Sequence, residues 1–361
     1  MYLTKLVLKD YRNFTALTLE DLKEGIYIFV GANAMGKTNL MEAMNYLSCG
    51  RSFRIMQERP LIKEGAPLAG ILAEYETKSH RGTMETILLA NGKRMIKVNG
   101  IPVRKIAEMM GVFHTVVFTP EDLRTIKESP SLRRRLLNVE ISKIRPSYYV
   151  DLKNYNTALK NKNKILKERN TNLSVLEAYN TALISHGSKV IHRRAIFVDH
   201  LNEFAQEIYE TLVGQKESIA IRYDAAIGID EIEKNFAEKI LQMQKREIEM
   251  GMALVGPHRE DMEILINGKD AKLYASQGQQ RTAMLAIKLA AARIAEMFTG
   301  EKPILLLDDV FSELDHSRRT GLLSLVKEQQ VFITSTDTAL QNRYEYATYF
   351  EVKDGKVKKH I

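Results

Sequence analysis

A chain of 361 residues can bury a sizeable core and suggests one large or two modest domains. Its single cysteine, Cys49, excludes an intrachain disulfide, and no segment has the apolar length of a membrane span. The formal net charge is +8, and residues 131–195 hold 14 Lys and Arg against 4 Asp and Glu, an excess of +10. Such a basic region favours a polyanionic partner, although a solvated helical face is the alternative.

The N-terminal residues predict two strands and no export signal. Polar and apolar residues alternate over 2–8, which predicts a half-buried strand, and the segment lacks a signal-peptide core. The continuous apolar run at 26–30 predicts a fully buried strand. We therefore expect a cytoplasmic protein with no membrane partner.

A complete phosphate-binding loop follows the second strand, at Gly31-Ala32-Asn33-Ala34-Met35-Gly36-Lys37-Thr38. Residues 39–47, beginning at Asn39, read as a helix, so the loop joins a strand to a helix N-terminus. In this arrangement backbone N–H groups wrap a polyphosphate, Lys37 reaches its β- and γ-phosphates, and the Thr38 hydroxyl binds Mg²⁺. The motif predicts binding of ATP or GTP; an accidental match in a glycine turn is the alternative.

Further strands are predicted at 71–75, 85–90 and 94–98, and Asn-Gly pairs at 91–92 and 99–100 predict hairpins between antiparallel strands. Helical patterns then dominate, most clearly at 148–167 and 173–212, and they are too short and irregular for an extended coiled coil.

Strand patterns return near residue 250, with another Asn-Gly hairpin signal at 267–268 and apolar strands at 303–307 and 331–334. The predicted fold class is therefore α/β, with a split P-loop ATPase lobe at 1–120 and 251–361. Residues 121–250 form an inserted, basic helical lobe in this prediction.

Two carboxylates end the apolar strand at 303–307. Asp308 is predicted to hold Mg²⁺, directly or through water, and Asp309 to orient or deprotonate the attacking water. Asp309 stands where glutamate is commoner, and its side chain is one methylene shorter. We therefore expect slow hydrolysis. The alternative is a strand that ends in two solvated aspartates.

A second anion site is predicted at Ser276-Gln277-Gly278-Gln279, which opens the alanine-rich helical pattern of residues 276–298. Ser276 is typical of an N-cap, and Gly278 leaves the helix start open to close approach. Taken alone, the segment could equally be an ordinary capped helix.

The phosphate loop, the Ser276–Gln279 segment and the strand carboxylates, in this order along the chain, resemble the ATP-binding-cassette ATPases. Ser312-Glu313-Leu314-Asp315 follows the carboxylates. The resemblance implies that Ser276, Gly278 and Gln279 of one subunit complete the nucleotide site of the other. It also implies that Ser312 and Asp315 couple the two sites across a homodimer. The implied catalytic residues are Asp309, Lys37 and Ser276.

More narrowly, the chain resembles the RecF family of bacterial recombination mediators, which is related to SMC proteins but lacks their long coiled coil. Segments in matching order run almost end to end: 10–14, 31–38, 50–54, 118–123, 133–135, 256–261 and 308–315. The resemblance implies a weak, DNA-stimulated ATPase whose ATP-bound dimers bind DNA and are released by hydrolysis. The implied partners are RecO and RecR, with RecA loaded at gaps covered by single-strand-binding protein, and the implied location is the nucleoid.

The sequence alone does not assign the residues that make three of the nucleotide contacts. The glutamine that usually senses Mg²⁺ is missing from residues 116–121, and either Glu121 or Asp122 could replace it. Thr336 stands near the position of the usual γ-phosphate histidine. Arg12 could contact phosphate or adenine, or be an ordinary surface arginine.

The candidate DNA contacts come from the basic region, and the sequence does not select duplex, single strand or junction. The candidates are Arg133, Arg134, Arg135, Lys153, Lys160, Lys162, Lys164 and Lys167.

Two other functions share part of this pattern. A membrane-transporter ATPase has the three motifs, but a basic insertion of this length does not suit docking to a membrane subunit. A signalling GTPase needs an Asn-Lys-x-Asp motif, and Asn161-Lys162-Asn163-Lys164 lacks the aspartate.

Overall fold

The structure is a computed structural model that describes residues 1–168, 172–337 and 344–360. Numbered in chain order, the strands are β1 Tyr2–Tyr11, β2 Phe14–Leu19, β3 Ile26–Val30, β4 Leu68–Glu76, β5 Arg81–Leu89, β6 Arg94–Val98, β7 Ile101–Val103, β8 Thr115–Phe118, β9 Ile219–Asp224, β10 Asp261–Ile266, β11 Lys269–Asp270, β12 Ile304–Leu307, β13 Val331–Ser335, β14 Ala347–Lys353 and β15 Lys356–Lys359.

The helices are α1 Lys37–Cys49, α2 Ile106–Met109, α3 Arg124–Lys127, α4 Pro130–Ile144, α5 Pro146–Leu166, α6 Leu173–Val213, α7 Ile232–Met250, α8 Ala271–Tyr274, α9 Gln277–Thr299 and α10 His316–Val326. None of the helices in the described ranges is both long and apolar enough to cross a membrane.

The chain divides into two compact units. The first consists of Met1–Leu123, Phe204–Ser218 and Ser276–Ile361, and the second of Arg124–Glu203 and Ile219–Ala275.

The first unit contains a mostly parallel sheet of strand order β15-β14-β3-β13-β12-β8, in which only β15 runs antiparallel. Every residue of β3, β8, β12 and β13 is buried, as expected for strands covered on both faces. The apolar runs at 26–30 and 304–307 therefore correctly predicted central strands. Their carboxyl ends bring the phosphate loop and the two aspartates to the same edge of the sheet.

A second sheet of the first unit is antiparallel, in the order β2-β1-β4-β5-β6-β7. The Asn-Gly pairs at 91–92 and 99–100 connect β5 to β6 and β6 to β7, as predicted. At the second turn Asn99 and Gly100 have φ angles of 51° and 76°, the left-handed conformation that a two-residue hairpin requires.

The second unit is mainly helical and carries the small antiparallel sheet β11-β10-β9. Its core packs Tyr155 of α5 and Leu183 and Ile191 of α6 with Phe236 and Ile240 of α7, all at most 3% exposed. The hairpin signal at 267–268 corresponds to the β10–β11 pair. The predicted fold class, α/β with antiparallel β elements, is confirmed, and the described residues form no long coiled coil.

The division into units differs from the predicted ranges in three segments, of which the short segment 121–123 groups with the first unit. Residues 204–218 group with the first unit, where Glu217 accepts a hydrogen bond from Gln279 at the start of α9. Residues 251–275 group with the second unit, because β10 pairs along its whole length with β9.

Candidate nucleotide-binding site

The phosphate loop needs glycine at two points for different reasons. Gly36 has φ 111°, and a Cβ there would lie 2.5 Å from Asn13 Nδ2. A side chain at Gly31 would collide with the carbonyl of Val352 on β14. The loop is thus held between the N-terminal β1–β2 turn and the C-terminal strands, with its backbone free to face an anion.

Lys37 lies inside this loop at the start of α1. Its Nζ donates to the Gly31 carbonyl at 2.6 Å and to the Ala32 carbonyl at 2.8 Å. Burial lowers the pKa of Lys37, and the charges of Asp309 and Asp308 act in the opposite direction. The ammonium group is therefore held at the loop centre by two neutral acceptors that a phosphate oxygen could replace.

Two hydroxyls converge on the carboxylate of Asp308, at the end of β12. Thr38 Oγ1 donates to Oδ2 at 2.9 Å, and Thr334 Oγ1 on neighbouring β13 donates to Oδ1 at 2.6 Å. Burial raises the pKa of Asp308, and the hydrogen bonds from Thr334 and Thr38 oppose that shift. A hydroxyl and a carboxylate at such close range are hard oxygen ligands suited to Mg²⁺.

Asp309 is held in an unusual backbone conformation, with φ 50° and ψ 30°. Its N–H donates to Thr334 Oγ1 at 2.9 Å, and Ser312 Oγ donates to its Oδ2 at 2.9 Å. These contacts fix the carboxylate beside Asp308, where a base or a water-positioning group is needed.

A cleft of about 1000 Å³ in the first unit unites these groups. Ten of the sequence-predicted residues line it: Arg12, Asn33, Ala34, Gly36, Lys37, Thr38, Asn39, Asp308, Asp309 and Thr336. The lining residues that sequence reasoning missed include Asn13, Arg54, Arg59 and Thr334. Asn13 and Arg54 lie in segments 10–14 and 50–54, which carry the family resemblance, so that resemblance was the signal that could have identified them. No local sequence feature marks Thr334 as a site residue.

The guanidinium of Arg12 is already committed within the protein. It donates twice to the buried carboxylate of Glu42, at 2.9 Å each, and once to the Pro60 carbonyl. Arg54 instead donates to Asn39 Oδ1 at 2.8 Å, and its charge opposes the rise that burial causes in the pKa of Asp308. Arg54 therefore extends the positive charge of the cleft toward the aspartates.

The segment Ser276–Gln279 lies outside the set of residues that line the cleft. Ser276 caps the 23-residue helix α9 in a reciprocal capping box: its Oγ accepts from the Gln279 N–H at 3.2 Å, and Gln279 Oε1 accepts from the Ser276 N–H at 2.8 Å. The predicted N-cap is confirmed, and the Ser276 side chain is exposed.

Of the two candidate Mg²⁺-sensing carboxylates, Asp122 is engaged in the fold. It accepts from the Thr119 N–H at 2.8 Å and pairs with buried Lys288 of α9 at 3.0 Å. Neither Asp122 nor Glu121 lines the cleft, whereas Pro120 does.

The eight basic candidates for DNA contact divide by burial. Arg133 is buried against Asp261 in a two-bond pair at 2.8 and 2.7 Å, and Lys162, 0% exposed, pairs with Glu247 at 2.6 Å. The prediction that these two contact DNA is not supported, because their charges are directed inward. Arg134 is half-buried and donates to the Glu260 carbonyl. The exposed residues are Arg135, Lys153, Lys160, Lys164 and Lys167.

Fold and site together define an SMC-like ABC ATPase head. A solved SMC head bound to the C-terminal winged-helix domain of ScpA superimposes with a TM-score of 0.59, over 100% of this chain and 97% of the other, at 14% identity. The family model for the RecF/RecN/SMC N-terminal domain matches residues 2–358.

The chain belongs to the RecF family. It is 38% identical over 360 residues to the DNA replication and repair protein RecF of Clostridium novyi (strain NT), covering 99% of both. It is 39% identical over 339 residues to RecF of Clostridium botulinum (strain Eklund 17B / Type B), covering 93% of both. A solved structure of the recombination mediator protein RecF with ATP, described as part of the RecFOR pathway, gives a TM-score of 0.91 at 35% identity, over 100% of this chain and 98% of the other.

Proposed function

We propose that this chain is an ATP-dependent DNA-binding protein of recombinational repair. ATP drives formation of a homodimer that binds DNA at gaps or junctions, and slow hydrolysis releases it. In this proposal the dimer acts with RecO and RecR to help load RecA. Membership of the RecF family and the RecFOR description of a close structural relative support these assignments.

One observation carries the ATP-switch proposal: the cleft is rich in phosphate-binding groups, yet the exposed Ser276 at the start of α9 is not part of it. A γ-phosphate held by Lys37 has oxygens that can accept further hydrogen bonds from outside the cleft. A second subunit could supply them through the Ser276 hydroxyl and the amino end of α9.

The residues of the cleft suit ATP accompanied by Mg²⁺. Thr38 and Asp308 would hold the ion, which when bound neutralises charge on the β- and γ-phosphates. Asp309 would position or deprotonate the attacking water, and Lys37 would stabilise the charge on the transferred phosphoryl group. Because Asp309 reaches less far than glutamate, turnover would be slow, which suits a switch.

The proposed DNA surface uses the charges that reach solvent on α4, on α5 and at the residue after α5: Arg134, Arg135, Lys153, Lys160, Lys164 and Lys167. Flexible lysines on a helix contact phosphates without reading base sequence. We therefore propose weakly sequence-dependent binding to DNA, which would place the protein at the nucleoid in the cytoplasm.

The test is DNA binding by the purified chain with ATP, with ADP and without nucleotide, alongside its molar mass by light scattering. We expect a dimer and tight DNA binding with ATP only. The variant Ser276→Arg should bind ATP yet stay monomeric, because a long cation would occupy the dimer interface. Failure of the wild type to bind DNA in any nucleotide state would reject the repair function.

The rival functions have separate tests. A signalling GTPase would bind GTP more tightly than ATP in a competition titration. A transporter ATPase would show hydrolysis that does not respond to DNA, whereas we expect stimulation by DNA.

A further inference from the structure

The guanidinium of Arg318 lies against the segment that opens α9. A Cβ built on Gly278 would be 3.6 Å from Arg318 Nη1, an ordinary van der Waals distance, so the guanidinium lies directly beside the glycine. Arg318 sits in the first turn of α10, where its backbone N–H donates to Asp315 Oδ1 at 2.9 Å. Both residues belong to the first unit.

The neighbouring Arg319 is hydrogen-bonded within the protein. The Arg319 guanidinium donates to the Leu314 carbonyl at 2.9 Å and the Phe311 carbonyl at 2.5 Å, and it lies 5.8 Å from the centre of the Phe311 ring. Arg318 instead has a loose ion pair, with Nε 3.7 Å from Asp315 Oδ2, and its side chain is 25% exposed. Arg319 therefore supports the loop before α10, while the Arg318 fork remains available to an anion.

The surface beside Arg318 is rigidly held. Gln279, half of the capping box on Ser276, donates through Nε2 to Glu217 Oε1 at 3.0 Å, and Tyr209 Oη donates to Glu217 Oε2 at 2.8 Å. Both carboxylate oxygens of Glu217 are thus hydrogen-bonded within the fold. The Ser276 hydroxyl, the amino end of α9 and the Arg318 guanidinium therefore lie close together, and each of them can donate hydrogen bonds to an anion.

We propose that Arg318 binds the triphosphate held by the other subunit of the ATP-bound dimer, next to Ser276 and Gly278. The inference rests on the proposed ATP-driven dimer. Arg318 does not line the cleft of its own chain, so it would reach a nucleotide only in trans. A planar guanidinium donates two parallel hydrogen bonds to phosphate oxygens, and these strengthen when a dimer interface excludes water.

The test measures hydrolysis by mixed subunits. Arg318→Ala alone should bind ATP with wild-type affinity. Its hydrolysis rate should fall about 100-fold, the typical effect of removing one preorganised hydrogen-bond donor. Arg318→Gln, which keeps the three side-chain carbons and a polar end, should behave alike and guards against a packing artefact. Lys327→Ala, an exposed charge at the other end of α10, should leave hydrolysis unchanged.

An equal mixture of Arg318→Ala and Lys37→Met chains then separates trans from cis action. In a mixed dimer the Arg318→Ala chain supplies an intact Lys37, and the Lys37→Met chain supplies an intact Arg318. One site in each mixed dimer is complete, so random pairing should restore about one quarter of wild-type hydrolysis.

A mixture of Ser276→Ala and Lys37→Met chains is the control for the dimer itself. Ser276→Ala removes the hydroxyl without placing a bulky cation in the interface, so this mixture should recover equally. Recovery in this control without recovery in the Arg318 mixture would overturn the inference and leave the proposed dimer standing. Wild-type hydrolysis by Arg318→Ala alone would also overturn it. No recovery in either mixture would reject the trans-acting dimer and the Arg318 role together.

Discussion

Thr38 and Asp308 are 270 residues apart in the chain, and their side chains share a hydrogen bond of 2.9 Å. Thr38 lies in the first turn of α1, which follows β3 and the phosphate loop, and Asp308 directly follows β12. Strand β13, which carries Thr334, lies between β3 and β12 in the sheet. The candidate Mg²⁺ ligands therefore come together only when the N-terminal and C-terminal parts of the first unit have paired. Nucleotide binding should accordingly stabilise the whole first unit rather than one end of it.

Substitutions at the two aspartates should separate Mg²⁺ binding from the hydrolysis step. We expect Asp308→Asn to weaken Mg²⁺-dependent ATP binding by more than about tenfold, because it removes a charged oxygen from the metal site. Asp309→Asn should keep ATP affinity but lower the hydrolysis rate by about 100-fold or more, leaving a long-lived dimer. Titration with labelled ATP and single-turnover kinetics measure the two effects. Equal, wild-type turnover in both variants would defeat these assignments.

Lys37 should account for a distinct share of ATP affinity. Replacement of Lys37 by Met removes the ammonium group while keeping the length of the apolar stem, and it should cost about 1.5–3 kcal/mol of binding free energy. That loss corresponds to about a 10- to 150-fold weaker dissociation constant by calorimetry. Lys23→Met, at an exposed position outside the cleft, is the matched control. Unchanged affinity in Lys37→Met would mean that the site is misassigned.

The elements of this site were predictable where their signals are local. The phosphate loop, the N-cap at Ser276 and the apolar strand before Asp308 are each encoded within a few neighbouring residues. The partners that sequence missed come from distant segments: Thr334 reaches Asp308 from the next strand of the sheet, and Asn13 approaches Gly36 from the β1–β2 turn. Spacing along the chain carries no information about such contacts.

Lys162 shows a different error, in which a local sequence pattern predicts the wrong environment for a side chain. A lysine among lysines on a helix predicts a solvated face. In the structure Lys162 points inward to Glu247, which follows 85 residues later on α7, so its burial depends on how two helices pack. Residues 204–218 were likewise assigned to the helical lobe by pattern, since nothing local marks the point where a long helix changes partners.

The exposed lysines near the C-terminal end of α5 and at its C-cap should set the salt dependence of DNA binding. Lys160, Lys164 and Lys167 border one shallow surface with Asn156 and Asn163. Replacing the three lysines with Ala should lower affinity and flatten the slope of log affinity against log salt by up to about 2.7, at about 0.9 for each lost phosphate contact. Lys353, Lys356 and Lys358, exposed on the C-terminal hairpin, provide a control triple variant of equal charge. An unchanged slope in the α5 variant would move the DNA surface elsewhere.

Lys162 should instead affect folding. Lys162→Ala leaves the Glu247 carboxylate buried without its cation, and we expect a loss of about 3–5 kcal/mol in the free energy of unfolding. Lys160→Ala, two residues earlier and exposed, should change it by less than about 0.5 kcal/mol. Urea denaturation of both variants measures the difference. A stable Lys162→Ala protein with weakened DNA binding would return Lys162 to the DNA surface.

His258 should make the second unit sensitive to acid. Its Nε2 contacts the Ala253 carbonyl at 3.2 Å, so this nitrogen carries the proton, and Nδ1 then accepts from Tyr155 Oη at 2.6 Å. Burial lowers the pKa of His258 from 6.5 to about 4, and the nearby charges of Arg259 and Arg134 act in the same direction.

Between those two pKa values the unfolded chain binds a proton at His258 that the folded chain does not, so stability must rise with pH across this window. The contribution of His258 is complete above pH 6.5 and is lost as pH falls toward about 4, by up to about 3 kcal/mol. We expect His258→Gln, which cannot titrate, to remove this part of the pH dependence, while His192→Gln, at an exposed site on α6, should retain it. Urea denaturation from pH 7.5 to 4.5 provides the measurement. Parallel stability curves for His258→Gln and the wild type would show that the imidazole is not held neutral by the fold.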